Sequence, residues 1–141
     1  MKRPSRGLRS DGEATRTRIL EAAGKLFATT GYAETSNKAI AAQAQVDLAS
    51  INYHFGSRSG LYQAVLAAAH DQLLGIADLR QLVGSGSSPA SKLRVLIEQL
   101  VAHATQEPQA WQLRIIAREV LAPTSHLQIL FQDEALPKMV L

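Results

Sequence analysis

The chain has 141 residues, a net charge of +3 at pH 7 and an apolar fraction of 46%. This length suits one medium-sized domain or a small domain joined to a second piece, and the apolar fraction provides a core and excludes wholesale disorder. The absence of cysteine excludes disulfide frameworks, thiolate zinc sites and cysteine nucleophiles.

The first predicted elements are a basic arm and a helix. Residues 1–10 contain Pro, Gly and four Lys or Arg residues, which predicts a flexible arm. A helix is predicted over about 12–30, with Ser10 and Glu13 at capping-box spacing and Gly31 as its C-terminal stop. The stripe predicted to face inward consists of Ile19, Ala23, Leu26 and Phe27.

Two short helices and a longer one follow. Ser36 is the predicted N-cap of the second helix, and Asp47 is the predicted N-cap of the third, which ends near Phe55. Gly56 then breaks the chain before a fourth helix that starts at Ser57. The residues predicted to point inward are Ile40, Ala41, Ala44, Val46, Ile51, Phe55, Leu61, Val65, Ala69, Leu73 and Ile76.

The second half of the sequence predicts three more helices. Residues 84–88 are typical of a flexible linker, and Ser88 with Pro89 suits the N-cap and the first position of a helix. Further helices are predicted over about 109–121 and 124–136. No segment alternates as a strand does, so we predict an all-α fold. The apolar residues predicted to pack inward from the helix after Pro89 are Leu93, Leu96, Ile97, Leu100, Val101 and Ala104.

The sequence predicts neither a membrane-spanning helix nor a signal peptide. No apolar run approaches the roughly 20 residues of a membrane-spanning helix. No apolar stretch follows the basic residues 1–6, so we expect no signal peptide and a cytoplasmic location. Residues 138–141 are largely apolar and lack a stop signal, which indicates either a chain cut inside a helix or a docked terminus.

Charge is concentrated in the first half of the chain. Residues 1–62 contain nine Lys and Arg residues against five acidic ones, a balance of +4, whereas residues 63–141 have a balance of −1. This asymmetry indicates a polyanionic partner at the N-terminal end, or else a solvated tail that only aids solubility.

The most informative stretch is residues 36–55. A helix of about nine residues, a tight turn and a second short helix are typical of a helix-turn-helix. With Ile51 and Phe55 facing inward, Ala49 and Tyr53 lie on the opposite face of the second helix. That outward face is small and polar, which suits insertion into a DNA major groove.

Residues 15–66 also carry an ordered set of short motifs. They are Ile19-Leu20-Glu21-Ala22-Ala23, Leu26-Phe27, Gly31-Tyr32, Thr35-Ser36, Ile40-Ala41, Ala44, Val46, Ile51-Asn52-Tyr53-His54-Phe55-Gly56-Ser57-Arg58 and Leu61-Tyr62. In this order and spacing the set resembles the TetR/AcrR family of bacterial transcriptional regulators. The resemblance implies a three-helix DNA-binding domain, then an all-helical regulatory domain that binds a small ligand and forms a homodimer through its last helices.

The resemblance implies three segments, and this sequence differs from the family pattern at two places. The expected segments are an arm at 1–10, a helix-turn-helix domain at 11–56 and an incomplete ligand-binding and dimerisation domain at 57–141, because family members are longer. Gln45 stands where the family usually has Gly, at a position expected to need a positive φ. Ser59-Gly60 replaces the usual acidic start of the fourth helix, which is expected to begin less firmly.

The resemblance also implies DNA-binding roles for particular residues. The implied phosphate contacts are the N-terminus of the second helix, at Ser36, Asn37 and Lys38, together with Tyr53, His54 and Arg58. The implied base-edge contacts are Leu48, Ala49, Ser50 and Asn52. Asn52 suits adenine, and Leu48 or Ala49 suits a thymine methyl group.

Each of these roles has a plainer alternative. Tyr53 and His54 could merely cover the underside of the domain, Asn52 could face only water, and Lys38 and Arg58 could be ordinary surface charges. The arginines of the arm, Arg3, Arg6 and Arg9, either enter an adjacent minor groove or stay disordered on DNA.

Other candidate sites are weak. His103 and Glu107 have the spacing of two metal ligands but lack a third, so a solvated helix face is the favoured interpretation and we predict no metal and no cofactor. Nothing in the sequence resembles a phosphate loop, a nucleophile elbow or a pair of catalytic carboxylates, so we predict no enzyme. Residues that could line a ligand pocket are Trp111, Ile115 and Phe131.

The sequence therefore predicts a ligand-responsive transcriptional regulator, specifically a repressor, that reads a palindromic operator in double-stranded DNA with the helix at 47–55. We expect it to act as a homodimer and to respond to an unknown small-molecule effector. The alternative is a helical protein-interaction module that uses the same three-helix unit without DNA. Affinity for nonspecific duplex DNA at low salt distinguishes the two.

Overall fold

The computed structural model describes residues 6–77, 84, 86–106, 110–130 and 132–133. Across these residues the regular structure is helical and no strand is present, which confirms the predicted all-α fold. The helices are α1 (Arg6–Thr30), α2 (Asn37–Ala44), α3 (Leu48–Phe55), α4 (Arg58–Ala77), α5 (Pro89–Gln106), α6 (Gln112–Leu121) and α7 (Ser125–Leu130). None of the helices so described is long and apolar enough to cross a membrane.

Helix α1 begins earlier than its sequence pattern predicts. It starts at Arg6, so residues 6–10 are helical rather than a flexible arm, and Ser10 lies inside the helix instead of capping it. The residues there include Arg and Leu, which favour helix and outweigh the single Gly7. The remaining arm residues, 1–5, lie outside the described residues. The predicted stop is confirmed, because Gly31 ends α1 with a φ of 95°.

The chain divides between Val65 and Leu66 into two compact units. The first unit is held together by apolar residues of α1 to α4 and by a cluster of three rings. The Phe27 ring meets Tyr62 edge-on at 5.0 Å between centroids, and Tyr32 lies 4.5 Å from Tyr62. The buried apolar residues of this unit are Ile19, Ala22, Ala23, Phe27, Ala28, Ile40, Ala41, Ala44, Ile51, Leu61, Tyr62 and Val65.

Local capping explains where the short helices begin. The Ser36 hydroxyl accepts a hydrogen bond from the Ala39 N–H at 3.1 Å, which confirms Ser36 as the N-cap of α2. Asp47 occupies the N-cap position of α3 with an extended backbone, but its side chain makes no capping hydrogen bond. The Ser50 N–H bonds the Asp47 carbonyl oxygen instead, at 3.0 Å.

The junction between α3 and α4 depends on two glycines. Gly56 ends α3 with a φ of 79°, a conformation that glycine adopts readily. The Ser57 hydroxyl then accepts the Gly60 N–H at 3.0 Å and so caps α4. A Cβ atom on Gly60 would collide with the carbonyl oxygen of Phe55, so the close approach of α3 and α4 requires glycine at this position.

The second unit differs from the sequence pattern in α5. The helix starts as predicted, since the Ser88 hydroxyl accepts the Ser91 N–H at 3.2 Å. Its apolar stripe was predicted to face a core, and this prediction is wrong for Leu93, Ile97 and Val101, each about half exposed. Periodicity identifies which residues share a face of a helix, but it does not determine which face the neighbouring helices cover.

The buried residues of α6 and α7 include polar groups as well as apolar ones. Glu119 is buried, and its Oε1 accepts hydrogen bonds from the Thr124 N–H at 2.7 Å and from the Thr124 hydroxyl at 2.6 Å. The Thr124 hydroxyl also lies 3.0 Å from Nδ1 of the buried His126. A buried carboxylate is stable only when it is hydrogen-bonded. Because Glu119 obtains its hydrogen bonds from Thr124, these contacts hold the bend between α6 and α7.

Candidate nucleic-acid interface

The N-terminus of α2 offers backbone N–H groups with a cation beside them. Ser36 uses its hydroxyl as the cap acceptor, and Lys38, two residues further on, is exposed. Asn37 is half-buried, and its Oδ1 is buried without a hydrogen-bond partner. The three predicted residues therefore lie together at the start of α2, an arrangement that can hold an anion through N–H groups and the Lys38 charge.

The turn between α2 and α3 is a Schellman motif built without glycine. The Val46 N–H bonds the Ala41 carbonyl oxygen at 3.0 Å, and the Gln45 N–H bonds the Ala42 carbonyl oxygen at 3.3 Å. Gln45 itself has a φ of 58° and a ψ of 49°. The left-handed backbone expected at Gln45 is thus present, and it is the one positive φ at a non-glycine residue among the described positions.

Helix α3 has a buried face and an exposed face, as its helical spacing predicts. Ile51 is fully buried and anchors the helix to the first unit. The opposite side is open to solvent, with Tyr53 84% exposed and Leu48 50% exposed. Ala49 and Asn52 are also exposed. The outward surface of α3 therefore consists of small, polar and amphipathic side chains that a groove could accept.

The C-terminal end of α3 carries three consecutive rings, of which one is exposed and two are half-buried. The Tyr53 ring meets the His54 ring edge-on at 5.0 Å between centroids. His54 and Phe55 are half-buried, and the Arg16 guanidinium lies 4.9 Å from the centroid of the Phe55 ring. Tyr53 is thus available at the surface, whereas Phe55 is covered in part by an arginine from α1.

Arg58, a predicted phosphate contact, makes internal contacts. Its Nη1 donates hydrogen bonds to the carbonyl oxygens of Tyr32 and Thr35, the latter at 3.0 Å. The guanidinium also lies 4.2 Å from the centroid of the Tyr32 ring. Arg58 at the start of α4 therefore ties down the loop that leads into α2, a role that its position in the sequence does not reveal.

Sequence reasoning missed two further residues near the helix-turn-helix. Arg18 of α1 donates hydrogen bonds from Nη2 to carbonyl oxygens of the turn, at 2.6 Å to Ala44 and 2.9 Å to Gln45. Thr35 is buried, and its hydroxyl donates to the Gly31 carbonyl oxygen at 2.6 Å. Arg18 belongs to no motif, and its partners lie in another segment of the chain. Thr35 belongs to the Thr35-Ser36 motif, which did not indicate that its side chain is buried.

The predicted pocket residues lie in the second unit. Trp111 and Ile115 are both buried, one helical turn apart at the start of α6, whereas Phe131 lies outside the described residues. The adjacent Gln112 is buried as well, and its Nε2 donates to Gln72 Oε1 at 2.7 Å while its own Oε1 has no partner. Sequence reasoning missed Gln112, since a glutamine beside a tryptophan gives no signal of burial.

Comparisons with known proteins match this arrangement. Residues 19–65 match the family model described as bacterial regulatory proteins of the tetR family. The HTH-type transcriptional regulator UidR of Escherichia coli (strain K12) is 29% identical over 113 residues, which cover 72% of this chain and 58% of that protein. The UidR protein of Shigella flexneri matches with the same values.

A solved structure shares the fold. The crystal structure of a TetR-like transcriptional regulator from Rhodococcus sp. RHA1 superposes with a TM-score of 0.64 and 23% sequence identity. The match covers 89% of this chain and 64% of that one, so the chain spans less than two thirds of these relatives. Residues 19–65 thus match the N-terminal domain of the tetR family of bacterial regulatory proteins, the family that the motifs of residues 15–66 resemble.

Proposed function

We propose that this chain is a sequence-specific DNA-binding transcriptional regulator and that α3 reads the major groove of double-stranded DNA. The observation that carries the proposal is the two-sided character of α3. Ile51 is fully buried, while Asn52 and Tyr53 are exposed on a helix short enough to enter the groove. A helix that used this flank for packing inside its own domain would bury it.

The side chains on α3 suit direct readout of A·T-rich edges. Asn52 would pair with adenine through two hydrogen bonds, and Ser50 can donate to or accept from several bases. Leu48 and Ala49 would contact thymine methyl groups. No Lys or Arg lies within α3, so a code centred on guanine is not expected from this helix.

Phosphate contacts are proposed on both sides of α3. Ser36, Asn37 and Lys38 would hold one phosphate at the start of α2, and Tyr53 with His54 would hold another. For Arg58 we propose a supporting role, because its Nη1 already holds the carbonyl oxygens of Tyr32 and Thr35.

The test is binding of the full chain to duplexes selected from a random library, measured in rising salt. Lys38→Ala is expected to lower the slope of log affinity against log salt by about one unit, because one phosphate contact fewer releases one counterion fewer. Lys25→Ala is the matched control, since Lys25 is an exposed lysine of α1, and its slope should equal that of the wild type.

Two results would contradict the proposal. An equal slope for Lys38→Ala and wild type would remove Lys38 from the phosphate contacts. A wild-type chain that fails to bind even nonspecific duplex at low salt would favour a protein-interaction module instead.

We further propose that the regulator is a repressor, acts in the cytoplasm as a homodimer and releases a palindromic operator when a small effector binds. Release requires that the effector bind more tightly to a state whose two reading helices no longer fit successive major grooves. The relatives support regulation, since UidR is named as an HTH-type transcriptional regulator.

The second unit would hold the effector. Trp111 and Ile115 are buried on one side of α6, the kind of apolar lining that small-molecule sites use. Trp111 is the single tryptophan of the chain, so its fluorescence reports on this region directly. A compound that releases the selected duplex should also change that fluorescence, and release without any change would place the effector elsewhere.

A further inference from the structure

Arg18 contacts the turn of the helix-turn-helix from a different helix. It lies on α1, 26 and 27 residues before its two acceptors, and no DNA contact is assigned to it. Its Nη2 donates to the carbonyl oxygens of both Ala44, the last residue of α2, and Gln45, the first residue of the turn. One guanidinium nitrogen therefore spans the point where the chain changes direction towards α3.

The turn needs such a donor because its own N–H groups are already used. The Schellman bonds from Gln45 and Val46 satisfy the carbonyl oxygens of Ala42 and Ala41. The carbonyls of Ala44, the last residue of α2, and of Gln45, the first residue of the turn, belong to the C-terminal carbonyls that have no following N–H within the helix. A cation is also favoured at this end of α2 by the helix dipole, and a charged donor makes the stronger hydrogen bond.

The turn also adopts a conformation that its residue does not favour. Gln45 has a φ of 58°, a left-handed backbone that glycine adopts without steric cost and that side chains with a Cβ resist. An external restraint is therefore more important here than it would be with glycine. The two hydrogen bonds from Arg18 act on the carbonyls on either side of the strained φ and ψ.

We propose that Arg18 is a positioning residue that holds the turn at Gln45 and thereby sets the direction in which α3 meets DNA. The part concerning DNA rests on the proposed function, while the part concerning the turn does not. Loss of Arg18 would leave the buried anchor Ile51 in place but let α3 vary in its angle to α2, so specific binding would suffer more than nonspecific binding.

Four single variants and one double variant of the full chain separate this role from a simple loss of charge. Arg18→Ala removes both hydrogen bonds, and Arg18→Lys restores the charge with a donor of different shape. Lys25→Ala removes a charge from the same helix at an exposed position. Gln45→Gly relieves the strained backbone, and it is examined alone and combined with Arg18→Ala.

The first measurement is amide hydrogen exchange at Gln45 and Val46, which needs no DNA. Arg18→Ala should speed exchange at these two amides about tenfold relative to amides in the middle of α1, the effect of losing a charged hydrogen bond. Arg18→Lys should recover part of the protection and Lys25→Ala should not differ from wild type. Adding Gln45→Gly to Arg18→Ala should slow exchange again.

The second measurement is affinity for a library-selected duplex and for a random duplex. Arg18→Ala should lose about tenfold more affinity for the selected duplex than Lys25→Ala does, with equal losses on the random duplex. Gln45→Gly in the Arg18→Ala background should restore most of that selectivity, a rescue that a mere loss of charge could not show.

Each contrary result overturns a definite part of the proposal. Unchanged exchange at Gln45 and Val46 in Arg18→Ala would show that Arg18 does not hold the turn. If Arg18→Ala exchanges faster at Gln45 and Val46 but prefers the selected over the random duplex as strongly as Lys25→Ala does, the turn does not set the direction of α3. A wild-type chain that selects no duplex would overturn the proposed function, and the exchange rates would still decide whether Arg18 holds the turn.

Discussion

At the scale of single residues, two arginines of the first unit hold the backbone. Arg18 and Arg58 each donate to pairs of backbone carbonyl oxygens, at the turn after α2 and in the loop before it. Each arginine serves both carbonyl oxygens from one Nη nitrogen, whose two N–H groups are fixed in the guanidinium plane, whereas the donors of a lysine ammonium rotate. Basic charge in this half of the chain is thus partly structural, and the excess of +4 over residues 1–62 overstates what is available to a polyanion.

Two glycines of similar helical context should respond oppositely to alanine. Gly60→Ala places a methyl group against the Phe55 carbonyl oxygen and should lower the free energy of unfolding by about 1–3 kcal/mol. Gly12→Ala in α1 meets no atom within 4 Å and should raise it by about 0.5–1 kcal/mol. Urea denaturation of both variants measures the two effects.

The critical result is that the free energy of unfolding changes in opposite directions in the two variants. If Gly60→Ala is as stable as the wild type, the close approach of α3 and α4 at Phe55 is not a constraint on the fold. Gly12→Ala serves as the control, because it makes the same chemical change at an open helical site.

At the scale of elements, α3 does two things with eight residues. Its inward side is anchored by Ile51, and its outward side, the proposed DNA-reading face, is exposed at Asn52 and Tyr53. Such a division keeps binding and stability on different residues, since a short helix gains little from its own hydrogen bonds and depends on packing.

Adjacent substitutions in α3 should therefore separate the two properties. Ile51→Ala empties a fully buried site and should destabilise the protein by about 2–5 kcal/mol. Asn52→Ala should change the free energy of unfolding by no more than about 0.5 kcal/mol and should weaken binding to the selected duplex by about 1–3 kcal/mol. Thermal unfolding and duplex titration of both variants provide the measurements.

A loss of stability in Asn52→Ala, without a loss of affinity, would reverse the assignment of the two faces. Binding of a random duplex by Asn52→Ala serves as the control, because an adenine contact affects only the selected sequence.

Helix α5 shows where an element differs from its pattern. Leu93, Ile97 and Val101 repeat every four residues, which predicts a buried stripe, and yet all three are about half exposed. The same helix half-buries Gln99 and His103 on another side. The repeat is a property of the sequence, whereas the side that becomes buried depends on where the neighbouring helices lie.

At the scale of the whole molecule, the two units carry different chemistry. The unit that ends at Val65 holds the helix-turn-helix and most of the basic residues, and the unit that begins at Leu66 holds buried polar contacts such as Glu119 with Thr124.

If the chain acts as a twofold dimer, the duplexes it selects should be palindromes. Their half-sites should lie about 34–36 Å apart, one helical turn of DNA, because each reading helix enters a successive major groove. Inserting about five base pairs between the half-sites turns the second to the opposite face of the duplex, and affinity should fall by at least about tenfold. Electrophoretic mobility shifts on the two duplexes measure this.

An insertion of a full turn, about ten base pairs, is the control, since it keeps both half-sites on one face. Selection of single half-sites bound by one chain each would contradict the dimer and leave the reading role of α3 intact.

The sequence by itself determined what depends on neighbours along the chain. The order of the helices, the caps at Ser36 and Ser88 and the stop at Gly31 all follow from interactions within a few residues, so their residue types predict them. The left-handed backbone at Gln45 was implied by the family resemblance, because a glutamine does not by itself favour it. The two faces of α3 follow from helical spacing around Ile51.

The tertiary structure alone decided what depends on residues far apart. Arg18 and Arg58 find carbonyl partners 23 to 27 residues away, and Leu93, Ile97 and Val101 of α5 are left about half exposed. The physical reason is that a long side chain can reach many acceptors and a helix face can meet many neighbours. Only the packed chain selects one of them.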